Sequence, residues 1–124
     1  MDQYLVEPVR NAPLIHFRPD GSMRVKGRSI HENVAEFFQP AFSWVEEYLL
    51  QPADVTCIDI QLEYFNSASA KYIIKLLQKF KKVLFSDKKF LINWYYEEGD
   101  EDILEKGEYF SSVLDMPFNF IEVK

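Results

Sequence analysis

The stretch Tyr64-Phe65-Asn66-Ser67-Ala68-Ser69-Ala70-Lys71 holds the residues best placed for chemistry. An alternating apolar run ends there and a helical period begins, with small hydroxyl residues in the first turn. Open backbone N–H groups and the positive end of the helix dipole favour an anion at such a point. A phosphate on a serine there adds nearly two negative charges at the end of the helix that tolerates them. Ser67 is the first candidate acceptor and Ser69 the second. Plain capping by Asn66 or Ser67, worth about 1 kcal/mol, accounts for the same residues without modification. Further along, Lys71, Lys75, Lys79 and Lys82 recur on one side. They read as a solvated face that could also meet an acidic partner or shield a phosphate near Ser67.

The remaining constellations carry less. Asp59 and Glu63 are four apart on one strand, so their Cα atoms stand roughly 13 Å apart, beyond the carboxylate separations of glycosidases. They read as part of a polar sheet face with Gln61. The run Glu97-Glu98-Gly99-Asp100-Glu101-Asp102 lacks the alternating ligands and position-6 glycine of a calcium loop, and suits the start of a helix. Cys57 has no histidine near it in sequence, and His16 and His31 read as ordinary strand and helix-start residues. No phosphate-cradling glycine loop and no Gly-x-Ser-x-Gly elbow is present. The sequence therefore points away from an enzyme and away from any metal or cofactor.

Composition sets the frame. The 124 residues suit one domain spanning 1–124, and 48% apolar residues are enough for a core. Fourteen basic against 20 acidic residues give a formal charge of −6, which speaks against nonspecific nucleic-acid binding. A single cysteine excludes an internal disulfide. No signal-like or membrane-spanning apolar run occurs, so a cytoplasmic chain that does not enter a membrane is expected.

The elements that must position these residues follow from period and punctuation. Residues 1–12 read as an irregular lead-in. Leu14–Arg18 and Met23–Lys26 flank Pro19-Asp20-Gly21-Ser22 as a hairpin, ended by Gly27. Apolar residues three and four apart predict a helix from about Glu32 to Leu50, with a kink or break at Pro40. Val55–Phe65 alternates, with Ile58, Ile60, Leu62 and Tyr64 on the apolar side. A helix follows to about Phe85, its apolar face Ile73, Leu76, Leu77, Phe80 and Leu84. Lys89–Tyr96 is a strand, the acidic run opens a helix to Leu114, and Phe118–Val123 is the last strand. The order is β-β-α-β-α-β-α-β, a mixed sheet in an α/β fold with helices mainly on one face.

Taken together, Gly27-Arg28-Ser29, Glu32-Asn33, Glu36-Phe37-Phe38-Gln39-Pro40 and Trp44-Val45-Glu46-Glu47-Tyr48-Leu49 resemble the SiaC-type regulatory phosphoproteins of bacteria. So do the Tyr64–Lys71 segment, Trp94-Tyr95-Tyr96, the acidic turn after it and Met116-Pro117-Phe118. The resemblance runs from about Pro13 to the C-terminus, with the motifs in order. It implies a fold like the STAS domains of anti-sigma-factor antagonists and a partner-switching role in signal transduction. It implies a Ser/Thr protein kinase, a metal-dependent Ser/Thr phosphatase that reverses its action, and an effector bound by the unphosphorylated form. In the best-known system that effector is a diguanylate cyclase, which links the family to cyclic di-GMP and biofilm. The family's acceptor is a threonine following the Tyr-x-Asn element, and Ser67 stands at that position. Ala68 replaces the serine that follows it, and Ile30-His31-Glu32-Asn33 replaces a typical Tyr-Pro-Glu-Asn. Asn66, Ser67, Ala68, Ser69, Lys71 and Lys75 then form the expected partner-binding surface.

Overall fold

The computed structural model describes all residues, 1–124. Its strands are β1 (Tyr4–Val6), β2 (Leu14–Phe17), β3 (Ser22–Ser29), β4 (Val55–Phe65), β5 (Lys89–Glu97) and β6 (Asn119–Val123). Its helices are α1 (Val34–Tyr48), α2 (Ser67–Lys81) and α3 (Glu101–Leu114). The strands form one sheet whose spatial order is their chain order, β1-β2-β3-β4-β5-β6. β1 and β3 each pair antiparallel with β2, whereas β3, β4, β5 and β6 run parallel. Parallel neighbours need crossovers, and α1, α2 and α3 supply them in turn. Crossovers of the usual right hand, always stepping the same way across a sheet, leave every helix on one face. The burial along β4 agrees: Ile58, Ile60 and Leu62 are buried, while Cys57, Asp59 and Gln61 on the other face are partly open.

From Leu14 onward the predicted order of elements is the observed one. The lead-in is corrected, because Tyr4–Val6 adds a sixth strand that pairs with β2 from Tyr4↔Phe17 to Val6↔Ile15. Three residues are too few to show a period. The segment is held instead by tertiary contacts: the Trp44 indole N–H donates to the Asp2 carbonyl at 2.9 Å, and the Gln3 amide oxygen lies 2.9 Å from His16 Nε2.

Three local expectations also change. β3 does not stop at Gly27 but passes through it at φ +123° and on to Ser29. Opposite, the register jumps from Gly27↔Leu62 to Arg28↔Tyr64, so Glu63 is an extra residue in β4. A bulge of this kind reverses the in-and-out alternation beyond it. Tyr64 therefore faces solvent, and Phe65 is buried in its place. α1 runs unbroken through Pro40. The proline leaves the Glu36 carbonyl without its helical donor, but Glu36 and Pro40 are both exposed, where water can serve that carbonyl. α2 ends at Lys81 and tightens into a 3₁₀ turn over Lys82–Ser86. The tighter winding buries Val83 and leaves Leu84 and Phe85 exposed, so Leu84 does not continue the apolar face.

The core lies between the sheet and its single helical layer and is rich in aromatics. Phe17 meets Phe80 edge-on at 5.2 Å between ring centroids and Trp44 at 5.6 Å. At the other end Trp94 sits among Phe65, Phe110 and Phe118, at 6.2, 5.3 and 6.0 Å. Its indole N–H donates to the Ile103 carbonyl at 3.0 Å, which ties β5 to α3. Tyr48 is buried with its hydroxyl 2.7 Å from Thr56 Oγ1, and it accepts from the Ala53 N–H at 3.2 Å.

Candidate functional site

The turn from β4 into α2 is built around Asn66. Its backbone is extended (φ −88°, ψ 174°), and its side-chain oxygen accepts the Ser69 N–H at 2.9 Å. This is a standard N-cap, in which a side chain serves one of the open donors of the first turn. The Asn66 carbonyl accepts the Ala70 N–H at 2.9 Å, so the helix is closed from its first residue. The cap is therefore Asn66 and not Ser67, whose side chain is left out of the capping bonds.

The two candidate acceptors have opposite surroundings. Ser67 is exposed and its hydroxyl makes no hydrogen bond within the protein. Ser69 is fully buried, and its Oγ accepts from the Ser29 hydroxyl at 2.9 Å. Ser29 is buried as well, so the pair is an internal fastener between the end of β3 and the start of α2. A kinase cannot reach Ser69 without opening that turn. Of the other residues expected at the surface, Asn66 is half-buried, whereas Ala68, Lys71 and Lys75 are exposed.

The lysine stripe divides. Lys75 places its ammonium 5.1 Å from the centre of the Tyr72 ring, and Tyr72 in turn stacks on Phe38 and Phe42 of α1. Lys79 forms an ion pair with Glu46 of α1 at 2.7 Å. That hydrogen bond holds the Glu46 carboxyl below its ordinary range, although both groups stay in contact with water. The stripe thus serves the contact between α1 and α2 along much of its length. Lys71 alone stands near the helix start without a salt bridge.

On the opposite flank of Ser67 lies a groove of about 330 Å³ between the start of α2 and α3. Its walls include Tyr64, Phe65, Tyr109 and Phe110, with Ser67 on the rim and Lys106 as the one charged side chain. Lys106 pairs with Asp102 at 2.7 Å, and its ammonium stands 5.2 Å and 5.7 Å from the ring centres of Phe65 and Tyr64. Tyr64 and Tyr109 are 46% and 63% exposed, so two aromatic faces beside Ser67 are available for contact. Sequence reasoning missed this wall. Plain alternation along β4 puts Tyr64 on the buried face, and only the partial apolar period of α3, with Phe110 in it, hints at the other side.

The residues of the open sheet face do not converge into a catalytic pair. Asp59 accepts from the Asn93 amide at 2.8 Å, and that amide also approaches Cys57 Sγ at 3.4 Å. Glu63, displaced by the bulge, lines a separate shallow concavity of about 230 Å³ with Gln61, Lys26, Tyr95 and Tyr96, from which Asp59 is absent. Burial pushes the Cys57 thiol up, the Asp59 charge adds to this, and the Asn93 hydrogen bond offsets a little. The acidic turn caps α3: Asp100 accepts the Ile103 N–H at 3.1 Å, with Glu101 and Asp102 in the first turn. No group of three or more His, Cys, Asp or Glu side chains is arranged to hold a metal ion. No helix is long and apolar enough to cross a membrane.

The site is thus an exposed, unbonded serine at the rim of an aromatic groove on a one-sided α/β domain. The chain belongs to the SiaC family of regulatory phosphoproteins, whose model matches residues 6–123. An uncharacterized protein of Pseudomonas aeruginosa (strain UCBPP-PA14) is 26% identical over 98 residues, covering 79% of this chain and 78% of that one. The fold superposes on apo-SiaC from Pseudomonas aeruginosa with a TM-score of 0.84 and 23% identity over the whole of both chains. It matches equally well (TM-score 0.84, 24% identity, 96% of this chain and 97% of that one) a chain from the crystal structure of the diguanylate cyclase SiaD in complex with its activator SiaC, also from Pseudomonas aeruginosa.

Proposed function

We propose that this protein is a non-enzymatic, cytoplasmic signalling adaptor switched by reversible phosphorylation of Ser67. The observation that carries the reading is the contrast between the exposed, unbonded Ser67 hydroxyl and the buried, bonded Ser69 hydroxyl. A kinase needs a hydroxyl it can reach, and modification at Ser67 removes no hydrogen bond made by that hydroxyl. The start of α2, from Asn66 to Lys75, and the neighbouring aromatic groove form the surface on which an effector docks. In the unphosphorylated state the effector meets a small neutral hydroxyl beside Tyr64 and Tyr109. Phosphorylation places a doubly charged group there, and burying it against an apolar or acidic partner surface costs more than the contact returns. A Ser/Thr kinase and a metal-dependent phosphatase set the balance. By analogy with the SiaC–SiaD complex, the effector is a diguanylate cyclase that this protein activates; in this reading the unphosphorylated form is the activating one.

The test is site-resolved phosphopeptide mass spectrometry on the protein from its own cells with the phosphatase inhibited. Phosphate on Ser67 is expected. Its absence under every growth condition, with full peptide coverage, would replace the switch by a constitutive interaction module. In pull-downs Ser67→Ala should retain the effector, whereas the phosphoserine protein should release it.

A further inference from the structure

The groove beside Ser67 contains an apolar floor and one charge. Lys106 is that charge, and its present partner, Asp102, is 70% exposed on the neighbouring turn of α3. Lys106 itself is 33% exposed, but a pair four residues apart on a helix with its carboxylate open to water is weak. A phosphate is a stronger attractor for an ammonium than a carboxylate, because it carries nearly two charges and three acceptor oxygens. Lys106 is also already oriented into the groove, its ammonium over the Phe65 and Tyr64 rings. Lys71 lies on the Ser67 helix but is not among the residues of the groove wall.

We propose that Lys106 is the counter-ion of phosphorylated Ser67: the phosphate turns toward the groove and draws the ammonium away from Asp102. The proposal rests on Ser67 being the acceptor, and it adds what the phosphate does once present. The paired phosphate places a hydrated charge at the Ser67 end of the groove that the effector would use, so the domain withdraws its own docking surface without a change of fold. α3, which carries no acceptor, becomes part of the switch through Lys106. Lys79 stays paired with Glu46 of α1 and Lys75 over the Tyr72 ring, and neither lines the groove.

The experiment uses full-length protein with phosphoserine installed at position 67 during translation, so its outcome does not depend on any kinase. The phosphorus resonance is titrated in the parent and in Lys106→Gln, Lys106→Arg and Lys71→Gln, all at physiological salt. A nearby positive charge favours the dianion and lowers its pKa, which is ordinarily near ~6. Lys106→Gln is expected to raise the phosphate pKa by about half a unit, Lys106→Arg to restore the parent value, and Lys71→Gln, which removes an exposed charge one turn along the same helix, to raise it by less. Coincident titrations of the parent and Lys106→Gln would overturn the pairing, as would an equal effect of Lys71→Gln. Failure of the acceptor assignment shows separately, as missing phosphate on Ser67 in protein from cells.

Discussion

Replacing Gly107 by alanine tests how α3, and with it one wall of the groove, is seated on the sheet. Gly107 is buried in α3 against the Trp94 indole. A Cβ built there falls 2.5, 2.6 and 2.7 Å from Trp94 Nε1, Cδ1 and Cε2, well inside ordinary van der Waals contact. The indole cannot yield, since it is 1% exposed, packed among Phe65, Phe110 and Phe118, and bonded to the Ile103 carbonyl. Two terms oppose each other. Alanine in a helix interior is favoured over glycine by about 1 kcal/mol. Overpacking a core costs about 1–3 kcal/mol, and a strained or broken buried hydrogen bond adds about 1–3 kcal/mol. The clash prevails, leaving a net loss of about 2 kcal/mol, or roughly 6–12 °C in Tm for a domain of this size. Thermal unfolding followed by near-UV circular dichroism measures it, with Trp94 as reporter. A Tm unchanged or raised would mean that helix propensity prevails and that α3 does not rest on Trp94. Since α3 also carries Lys106, Tyr109 and Phe110, the same variant should weaken effector binding without touching the binding surface itself.

Ser69→Ala should cost about 1 kcal/mol by orphaning the buried Ser29 hydroxyl, yet leave phosphorylation of the domain intact; loss of the phosphate in this variant would make Ser69 the acceptor. Tyr48→Phe removes a buried hydroxyl that serves both Thr56 and the Ala53 N–H, and should lower stability by about 1–3 kcal/mol in urea unfolding; a change near zero would mean that neither bond matters. Because burial raises the Cys57 pKa, less thiolate is present near neutral pH. Alkylation by iodoacetamide should therefore run slower than for free cysteine and speed up as pH rises through the raised value, and a rate equal to that of free cysteine at pH 7 would contradict the buried setting.

Much of the fold was legible because long periodic segments carry their own phase. Ile58, Ile60 and Leu62 mark β4, and Val34, Phe38, Ala41, Val45 and Tyr48 mark the buried side of α1 despite Pro40. Where the reading failed, a local rule was overridden by something outside the window. Gly27 reads as a stop, yet a strand accepts it because β4 pairs alongside. Glu63 cannot be recognised as an extra residue without its partner strand, so Tyr64 was assigned to the wrong face. β1 forms because β2 offers it an edge and Trp44 ties down the residues before it. At the site, the β4–α2 junction and its serines were visible in composition, whereas the distinction between Ser67 and Ser69 was not. It depends on Ser29, 40 positions away in the chain. Lys106 was hidden for the same reason, since its relation to Ser67 is made by packing α3 against α2.

The sheet's agreement between chain order and spatial order bears on how the protein is made. Each strand leaving the ribosome finds its neighbour already in place, so assembly can advance from one edge to the other with short loop closures. The serine and its cap lie in the middle of this sequence, but the groove wall opposite comes only with residues 101–114. A nascent or prematurely ended chain can therefore display the Ser67 helix start without Lys106, Tyr109 or Phe110 beside it. The groove beside Ser67 is therefore complete only once the last helix is in place.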